Sequence, residues 1–253
     1  MRIAVVGPGR MGSEVAAMAR EEGHEVVTTL GRADEITRAT LGDAEVAVEF
    51  TLPQAAPTVL PALARAGIDT VSGTTGWSDR LEEVRRAVEE AGTGLIHAPN
   101  FSIGVAVFRR WLRIAARDLD GLPDYDVALH EVHHTRKLDA PSGTARLLAE
   151  TMLEETGRWK RWVLASGEGR DGSVDPEALR ITAERVGWVP GTHEIVLDGP
   201  DDQIVLRHQA RSRRGFARGA LAAAGWIRGR RGVFTLDDML DDRLTATDQR
   251  GEG

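Results

Sequence analysis

The residues best suited to chemistry lie in one run, Glu131–Ala145, with the sequence EVHHTRKLDAPSGTA. Lys137 stands out within it, because only two of the chain's 32 basic residues are lysines and the other is Lys160. Arginine stays protonated at any working pH, whereas a lysine can give up a proton. A lysine at position 137 of such an arginine-rich chain therefore indicates proton transfer, although Lys160 escapes the same bias without a role that the sequence assigns.

Two histidines precede this lysine on a predicted strand, and a predicted helix start follows it. If the chain is extended over 126–134, Glu131 and His133 share one face, and the carboxylate can orient an imidazole. The sequence from Pro141 is typical of a first helical turn with Ser142 as its cap. Backbone N–H groups at such a helix end suit a carboxylate. The run therefore combines proton donors with a site for an anionic substrate.

Two other interpretations of the histidines stay open. Neighbouring histidines often lie on the surface or form hydrogen bonds in the core, and histidine-rich runs also bind zinc. The chain has no cysteine, so a zinc site would need acidic ligands, and this spacing matches no known zinc pattern. We expect no metal, and a structural role is the stronger of the two alternatives.

Residues 1–98 predict the scaffold of a parallel sheet covered by helices on both faces, because strand-like and helix-like runs alternate. The predicted strands are 2–6, 25–30, 46–50, 68–72 and 95–98, and the predicted helices are 13–22, 55–66 and 78–91.

After Ser102 the pattern becomes that of a second, α+β domain on a mixed, largely antiparallel sheet. Its predicted elements are a helix over 105–119, the extended run 126–134, a helix from 142, and strands over 179–185, 192–197 and 203–208. A loop over 166–175, a final helix over 216–227 and a disordered tail over 245–253 complete the prediction. The fold class is therefore α/β, with an N-terminal Rossmann-type domain and a second α+β domain.

A glycine-rich loop with the sequence GPGRMG, Gly7–Gly12, follows the first strand and opens the first helix. The spacing GxGxxG is a weak signal alone, but in this position it indicates a dinucleotide-binding loop. The first glycine permits the turn, the second lets a diphosphate approach the backbone, and the third allows close helix packing. A plain strand-to-helix turn is the alternative.

The end of the second strand bears on the choice of cofactor. This strand end has no acidic residue that could bind a ribose 2′-hydroxyl. Arg32 lies two residues after Leu30, and the first acidic residue after the strand is Asp34. We predict that NADP is tolerated, with NADPH and/or NADH as cofactor and Arg32 near the 2′ position. The alternative is that Arg32 is an ordinary surface arginine.

Two further loops, Ser72–Trp77 and His97–Ser102, follow the fourth and fifth strands at the sheet edge where such folds bind ligands. We interpret both as loops near the nicotinamide, although their small polar side chains also suit ordinary turns.

Composition excludes several classes of partner. A net charge of −7 and a pI near 5.6 argue against nucleic acid or an anionic membrane as the main partner. The lack of cysteine excludes disulfides and thiol nucleophiles, no run reaches the roughly 20 apolar residues of a membrane span, and the N-terminus lacks a signal-peptide pattern. We expect a cytoplasmic protein that acts on a small molecule.

The motif ExHHxxKxDxPSGTA over 131–145 resembles the signature of the dihydrodipicolinate reductase family, also called 4-hydroxy-tetrahydrodipicolinate reductase. Further segments match in the family's order: Arg10–Gly12, Phe50–Pro53, Gly73–Gly76, Ala98–Ser102, Gly191–Glu194 and Arg213–Ala217.

This resemblance implies an NAD(P)H-dependent reduction of 4-hydroxy-tetrahydrodipicolinate to tetrahydrodipicolinate with loss of water, in diaminopimelate and lysine biosynthesis. It places His133 and Lys137 at the catalytic acid positions. The implied substrate-binding residues are His134, Ser142, Gly143 and Thr144. The implied cofactor-binding residues are Gly7, Pro8, Gly9, Arg10, Met11, Gly12, Gly73, Thr74, Thr75, Ala98, Pro99, Asn100 and Phe101.

The resemblance also implies a homotetramer built through the sheet of the second domain. It assigns 1–102 plus 213–253 to dinucleotide binding and 103–212 to substrate binding and oligomerisation. Two departures from the family are visible: the glycine loop is one residue shorter than usual, and 166–184 lacks the usual Ile-Gly-Phe segment. Two rival functions stay open, a reductase or dehydrogenase of another imino or amino acid and a non-catalytic dinucleotide sensor.

Overall fold

A computed structural model describes residues 1–165 and 175–248, which form two compact units. Unit 1 comprises Met1–Ser102 and the chain from Arg214 onward, and unit 2 is Ile103–Arg213. The strands of the described residues are β1 Arg2–Val6, β2 Glu25–Leu30, β3 Val46–Glu49, β4 Asp69–Ser72, β5 Gly94–His97, β6 Asp126–His133, β7 Arg161–Leu164, β8 Ala178–Arg185, β9 Thr192–Asp198, β10 Gln203–Gln209 and β11 Gly232–Thr235. The α-helices are α1 Arg10–Glu21, α2 Arg38–Leu41, α3 Ala56–Arg65, α4 Leu81–Ala91, α5 Ile103–Asp120, α6 Gly143–Glu155, α7 Arg214–Ile227 and α8 Leu236–Asp248.

Unit 1 is built on a parallel sheet with the strand order β11-β5-β4-β3-β1-β2. Its central strand β3 is buried along its whole length, as expected for a sheet with helices on both faces. The order reverses between β1 and β3. Loops that follow these two strands therefore lie where doubly wound folds bind ligands.

The carboxyl end of unit 1 differs from the prediction. The helix over 216–227 is not the final element, because β11 adds a strand beside β5 and α8 follows it. Trp226 contacts the ring of Phe234 edge to face at 5.3 Å, and α8 buries Met239. The prediction of disorder is therefore wrong for 245–248, which are helical, and 249–253 lie outside the described residues.

Unit 2 is built on a sheet with the order β10-β9-β6-β8-β7. The sheet is mixed as predicted, but only β6–β9 and β9–β10 pair antiparallel, since β8 and β7 run parallel to β6. Helices α5 and α6 cover one face, where Leu112, Leu129 and Leu148 are fully buried in one core cluster. Most of the predicted loop, 166–174, lies outside the described residues, and the departure noted over 166–184 falls partly there.

Within the parts of the chain that the structure covers, none of the helices combines the length and apolar composition needed to cross a bilayer.

Candidate active site

Strand β6 and the turn after it carry the residues of unit 2 that we predict to transfer protons. Its residues alternate between buried and half-buried, so Glu131 and His133 lie on the buried face beside Leu129, as predicted. The strand ends at His133, and His134 and Lys137 follow in a turn closed by the Lys137 N–H donating to the His134 carbonyl at 3.0 Å.

Glu131 is the centre of a buried polar network. Its side chain is 1 % exposed and accepts hydrogen bonds from the Ser142 N–H at 3.0 Å and from Arg185 Nη2 at 2.9 Å. Burial by itself raises the pKa of Glu131, but the hydrogen bonds from Ser142 and Arg185 outweigh it, so the net shift is downward. Glu131 therefore remains a carboxylate that ties β6 to the start of α6 and to the end of β8.

His193 joins this network, although our sequence reasoning did not assign it to the site. It lies opposite Glu131 in the β6–β9 pairing, its Nε2 is 3.1 Å from Ser142 Oγ, and its ring meets that of His133 edge-on at 5.2 Å. Burial, followed by the neighbouring His133, lowers the pKa of His193 to about 3. His193 is therefore neutral at physiological pH and supports Ser142 as a hydrogen-bonding partner.

The low pKa of His193 predicts acid sensitivity. Because the unfolded chain takes up a proton near pH 6.5 that folded His193 binds only near pH 3, the free energy of unfolding should fall as the pH drops between these values. His193→Gln, which can keep a contact with Ser142, should flatten this dependence in urea unfolding measured across the range. Some slope should remain, since burial also lowers the pKa of His97, His133 and His208. A wild-type slope in the variant would contradict this assignment.

His133 is also poorly suited to act as a cation. Burial lowers its pKa; the carboxylate of Glu131 opposes this, and the charges of Lys137 and Arg185 lower it further. A β-carbon on Gly191 would lie 3.0 Å from His133 Nε2, so the glycine leaves room for the ring. His133 is accordingly neutral, and in this form it can orient a substrate by hydrogen bonding; its place among the catalytic acids stays a prediction.

Lys137 is the ammonium group of the site. Its Nζ lies 2.8 Å from Asp139 Oδ1, and the side chain is 22 % exposed. Burial tends to raise the pKa of Asp139, but the hydrogen bond and charge of Lys137 lower it overall, so the pair is ionic. Lys160, by contrast, pairs with Glu177 on the surface, and its side chain is 69 % exposed.

The start of α6 is where we predict the anion site. Ser142 caps the helix by accepting a hydrogen bond from the Ala145 N–H at 3.1 Å. Backbone N–H groups and the helix dipole at a helix start attract anions, which is the basis of the predicted site at Gly143 and Thr144. A β-carbon on Gly143 would lie 4.0 Å from Arg146 Nη2. The guanidinium of Arg146, which we did not predict from the sequence, therefore adds positive charge beside Gly143.

The remaining substrate-binding candidate, His134, has a buried Nδ1 atom with no hydrogen-bond partner among the described residues. Buried polar atoms are normally paired, so a ligand acceptor or donor at this atom would satisfy it. Because Nδ1 of His133, His193 and His208 is unpaired in the same way, the contact of His134 with the substrate stays a prediction.

Glu131, His133 and His193 place ligand atoms within 4.8 Å of one another, close enough to suggest a metal site. However, the oxygens of Glu131 already accept hydrogen bonds from Ser142 and Arg185. The guanidinium on this carboxylate would repel a divalent cation. We therefore assign the cluster to hydrogen bonding.

In unit 1 the backbone of the glycine loop requires glycine at two of its three glycine positions. Gly7 has φ +93°, and a β-carbon there would collide with the Phe50 carbonyl, while one on Gly12 would collide with the Gly7 carbonyl. Gly9, in contrast, has no atom within 4 Å of a β-carbon position and precedes α1 without a side-chain cap. Its surface and the uncapped N–H groups of α1 therefore fit a diphosphate, even though the loop is shorter than usual for the family.

The two glycines predict contrasting variants. Gly12→Ala should destabilise unit 1, because the β-carbon meets backbone. Gly9→Ala should fold normally, since its φ of −72° suits alanine and the space is open, yet weaken dinucleotide binding by about 10–100-fold through displacement of the diphosphate. Thermal unfolding and cofactor fluorescence titration separate the two effects. Wild-type affinity in Gly9→Ala would argue against this loop as the diphosphate site.

The other two loops lie at the same sheet edge and border a cavity of about 250 Å³. Its lining comprises Thr74–Ser78, Leu81 and His97–Pro99. Phe101 is 2 % exposed and Asn100 Oδ1 accepts a hydrogen bond from the Ser102 N–H at 2.8 Å, so both stabilise the loop itself. Thr75, Ala98 and Pro99 face the cavity, where we predict that the nicotinamide binds.

The end of β2 differs from the expectation of a strand tip without an acid. Asp34 folds back so that its Oδ2 accepts a hydrogen bond from the Gly31 N–H at 2.7 Å. Its carboxylate therefore lies immediately after the strand, although it stands four residues past Leu30 in the chain. Arg32 is exposed on the same turn.

A Rossmann-type sheet with an open glycine loop, in one chain with proton donors and an anion site, defines a dinucleotide-dependent oxidoreductase. Family profiles described as dihydrodipicolinate reductase, N-terminus and C-terminus, match residues 1–101 and 104–240. The chain belongs to the dihydrodipicolinate reductase family, as its motifs predicted.

Individual relatives agree over nearly the whole chain. A protein from Christiangramia forsetii named 4-hydroxy-tetrahydrodipicolinate reductase is 38 % identical and covers 96 % of this chain and 98 % of its own. A protein of the same name from Natronomonas pharaonis is 37 % identical, with coverages of 95 % and 100 %. The dipicolinate-bound dihydrodipicolinate reductase from Paenisporosarcina sp. TG-14 shares the fold, with a TM-score of 0.73, 23 % identity and coverages of 93 % and 97 %.

Proposed function

We propose that this protein reduces 4-hydroxy-tetrahydrodipicolinate to tetrahydrodipicolinate with loss of water, as an NAD(P)H-dependent step of diaminopimelate and lysine biosynthesis. The observation that carries the proposal is the Lys137 ammonium group, whose Nζ lies 2.8 Å from Asp139 Oδ1 in the segment that leads into the start of α6. Backbone N–H groups at such a helix start suit a carboxylate. A cyclic dicarboxylate needs both features, one for the proton and one for the carboxylates.

Each predicted site residue of unit 2 then has a role in the reaction. The N–H groups of Gly143 and Thr144, with the charge of Arg146 nearby, bind a substrate carboxylate, and His134 Nδ1 hydrogen-bonds the substrate. Neutral His133, which Glu131 orients, holds the substrate ring in place by hydrogen bonding. Lys137 Nζ gives its proton to the carbon next to the one that is reduced, and Asp139 stabilises the ammonium group before transfer.

A reduced nicotinamide, when bound, supplies the hydride for this reaction. We propose that Gly7–Gly12 bind its diphosphate and that 73–75 and 98–101 surround the nicotinamide. Arg32 suits the 2′-phosphate of NADPH, whereas Asp34 suits the 2′-hydroxyl of NADH. We therefore propose that both cofactors are used, and rates measured with each under identical conditions test this.

We further propose a cytoplasmic homotetramer assembled through unit 2. The sheet face turned away from α5 and α6 carries Val132, Val196 and Val205, and Val205 is 45 % exposed. Light scattering should give four times the 27.4 kDa chain mass, and Val205→Glu should lower it. A wild-type monomer would contradict the tetramer.

Absorbance of the reduced cofactor, followed with freshly generated 4-hydroxy-tetrahydrodipicolinate, tests the reaction itself. Oxidation of an amino acid with no response to this substrate would favour a related dehydrogenase instead.

A further inference from the structure

Glu49 is a buried carboxylate that the proposed chemistry does not use. It ends β3, the strand beside the point where the sheet order reverses, and it is 0 % exposed. Burying a carboxylate is costly unless hydrogen bonds replace its water. Its surroundings therefore indicate what this side chain does.

Four donors from three residues surround it. Oε1 accepts hydrogen bonds from the Thr51 N–H at 2.7 Å, the Thr51 hydroxyl, and Thr74 Oγ1 at 2.6 Å. Oε2 accepts one from Ser72 Oγ at 2.6 Å. These donors are neutral, so the carboxylate joins segments of chain instead of neutralising a cation.

The joined segments are those that form the cofactor loops. Thr74 lies within 73–75; its hydroxyl is committed to Glu49 and its carbonyl accepts a hydrogen bond from Trp77 Nε1 at 2.7 Å. Thr51 Cγ2 lies 3.1 Å from a β-carbon position on Gly7, so the Glu49–Thr51 turn also packs on the glycine loop. One carboxylate thus fixes two loops at one edge of the sheet.

We propose that Glu49 is a positioning residue that presets the glycine loop and the 73–77 loop for the dinucleotide. The inference rests on the proposed function, since it takes those loops to be the cofactor site. Without the carboxylate, three hydroxyl donors and one backbone N–H lose their common acceptor, and the loops must be ordered by the cofactor itself. Ordering on binding weakens affinity, whereas preorganisation strengthens it.

The test is fluorescence titration of NADH and NADPH into wild-type protein, Glu49→Ala, Glu49→Gln and Ser72→Ala. Glu49→Ala should raise Kd about tenfold or more. Glu49→Gln should restore most of the affinity, because its amide oxygen can keep the Thr51 and Thr74 contacts while Ser72 reverses its hydroxyl. Ser72→Ala, which removes one donor only, should raise Kd by about threefold.

Two readouts separate positioning from general stability. Asp69→Asn is the matched control. Asp69 starts β4, and its carboxylate accepts hydrogen bonds from the Gly94 N–H at 2.8 Å and from the Gly229 N–H at 2.7 Å. Loss of this carboxylate should lower Tm without changing the Kd of the dinucleotide. Binding of pyridine-2,6-dicarboxylate to unit 2 should be unchanged in every variant. kcat at saturating cofactor should stay within about twofold of wild type.

Wild-type Kd in folded Glu49→Ala would overturn the inference. If that variant does not fold, wild-type Kd in both Glu49→Gln and Ser72→Ala would overturn it, and a raised Kd in Ser72→Ala alone would support it. Failure of the wild-type protein to bind either dinucleotide would instead overturn the proposed function.

Discussion

Lys137→Arg is expected to lower kcat by about 10²–10⁴-fold, the usual contribution of a general acid, while the protein keeps its fold. Arginine preserves the positive charge and can still pair with Asp139, but its guanidinium does not release a proton at working pH. KM should change much less than kcat, because the charge that attracts the substrate is retained. Steady-state kinetics with saturating cofactor measures both.

The chain provides a matched control for this variant. Lys160→Arg makes the same chemical change at the only other lysine, which pairs with Glu177 on the surface. Its kcat should equal that of wild type. Lys137→Met, which removes charge and proton together, should lose turnover and also substrate affinity. Undiminished turnover in Lys137→Met would eliminate Lys137 as the proton donor.

Glu131→Ala is expected to cost about 3–5 kcal/mol of unfolding free energy, the usual cost of removing one partner from a buried ion pair. It leaves Arg185 and the Ser142 N–H without their acceptor and releases the start of α6 from β6. Urea unfolding measures the loss of stability. Activity should fall as well, because Ser142 and His133 lose the group that positions them.

Glu155→Gln controls for the loss of a carboxylate–arginine pair in unit 2. Glu155 ends α6 and pairs with Arg117, whose side chain is 64 % exposed, so a smaller change in stability and unchanged kinetics are expected. Equal losses of unfolding free energy and of activity in both variants would show that Glu131 contributes no more than an exposed carboxylate, despite its burial and its hydrogen bond to Ser142.

The sequence predicted those parts of the molecule that local patterns encode. Alternation along β6 placed Glu131 and His133 on one face, and the residues after Pro141 predicted the Ser142 cap. The glycine loop was recognisable because its glycines follow a strand and open a helix.

Features that depend on distant pairing were missed. His193 and Arg185 reach Glu131 only because β9 and β8 flank β6, and no local period reports which strands become neighbours. The Gly191–Glu194 segment was a signal for His193, but a motif match alone gave it no role. β11 was missed because four residues carry too little pattern to reveal a strand that pairs with β5.

Asp34 shows the same limit on a smaller scale. Counting residues along the chain placed it beyond the tip of β2, whereas its side chain folds back to the Gly31 N–H. The choice between NADH and NADPH therefore depends on side-chain conformation as well as on residue order.

The most direct test of the central claim is the absorbance of NADH or NADPH during incubation with freshly generated 4-hydroxy-tetrahydrodipicolinate. We predict that absorbance falls only when enzyme and this substrate are both present, and that pyridine-2,6-dicarboxylate inhibits competitively with substrate. No loss of absorbance with either cofactor, from protein that is folded and binds the dinucleotide, would contradict the assignment and favour a non-catalytic dinucleotide sensor.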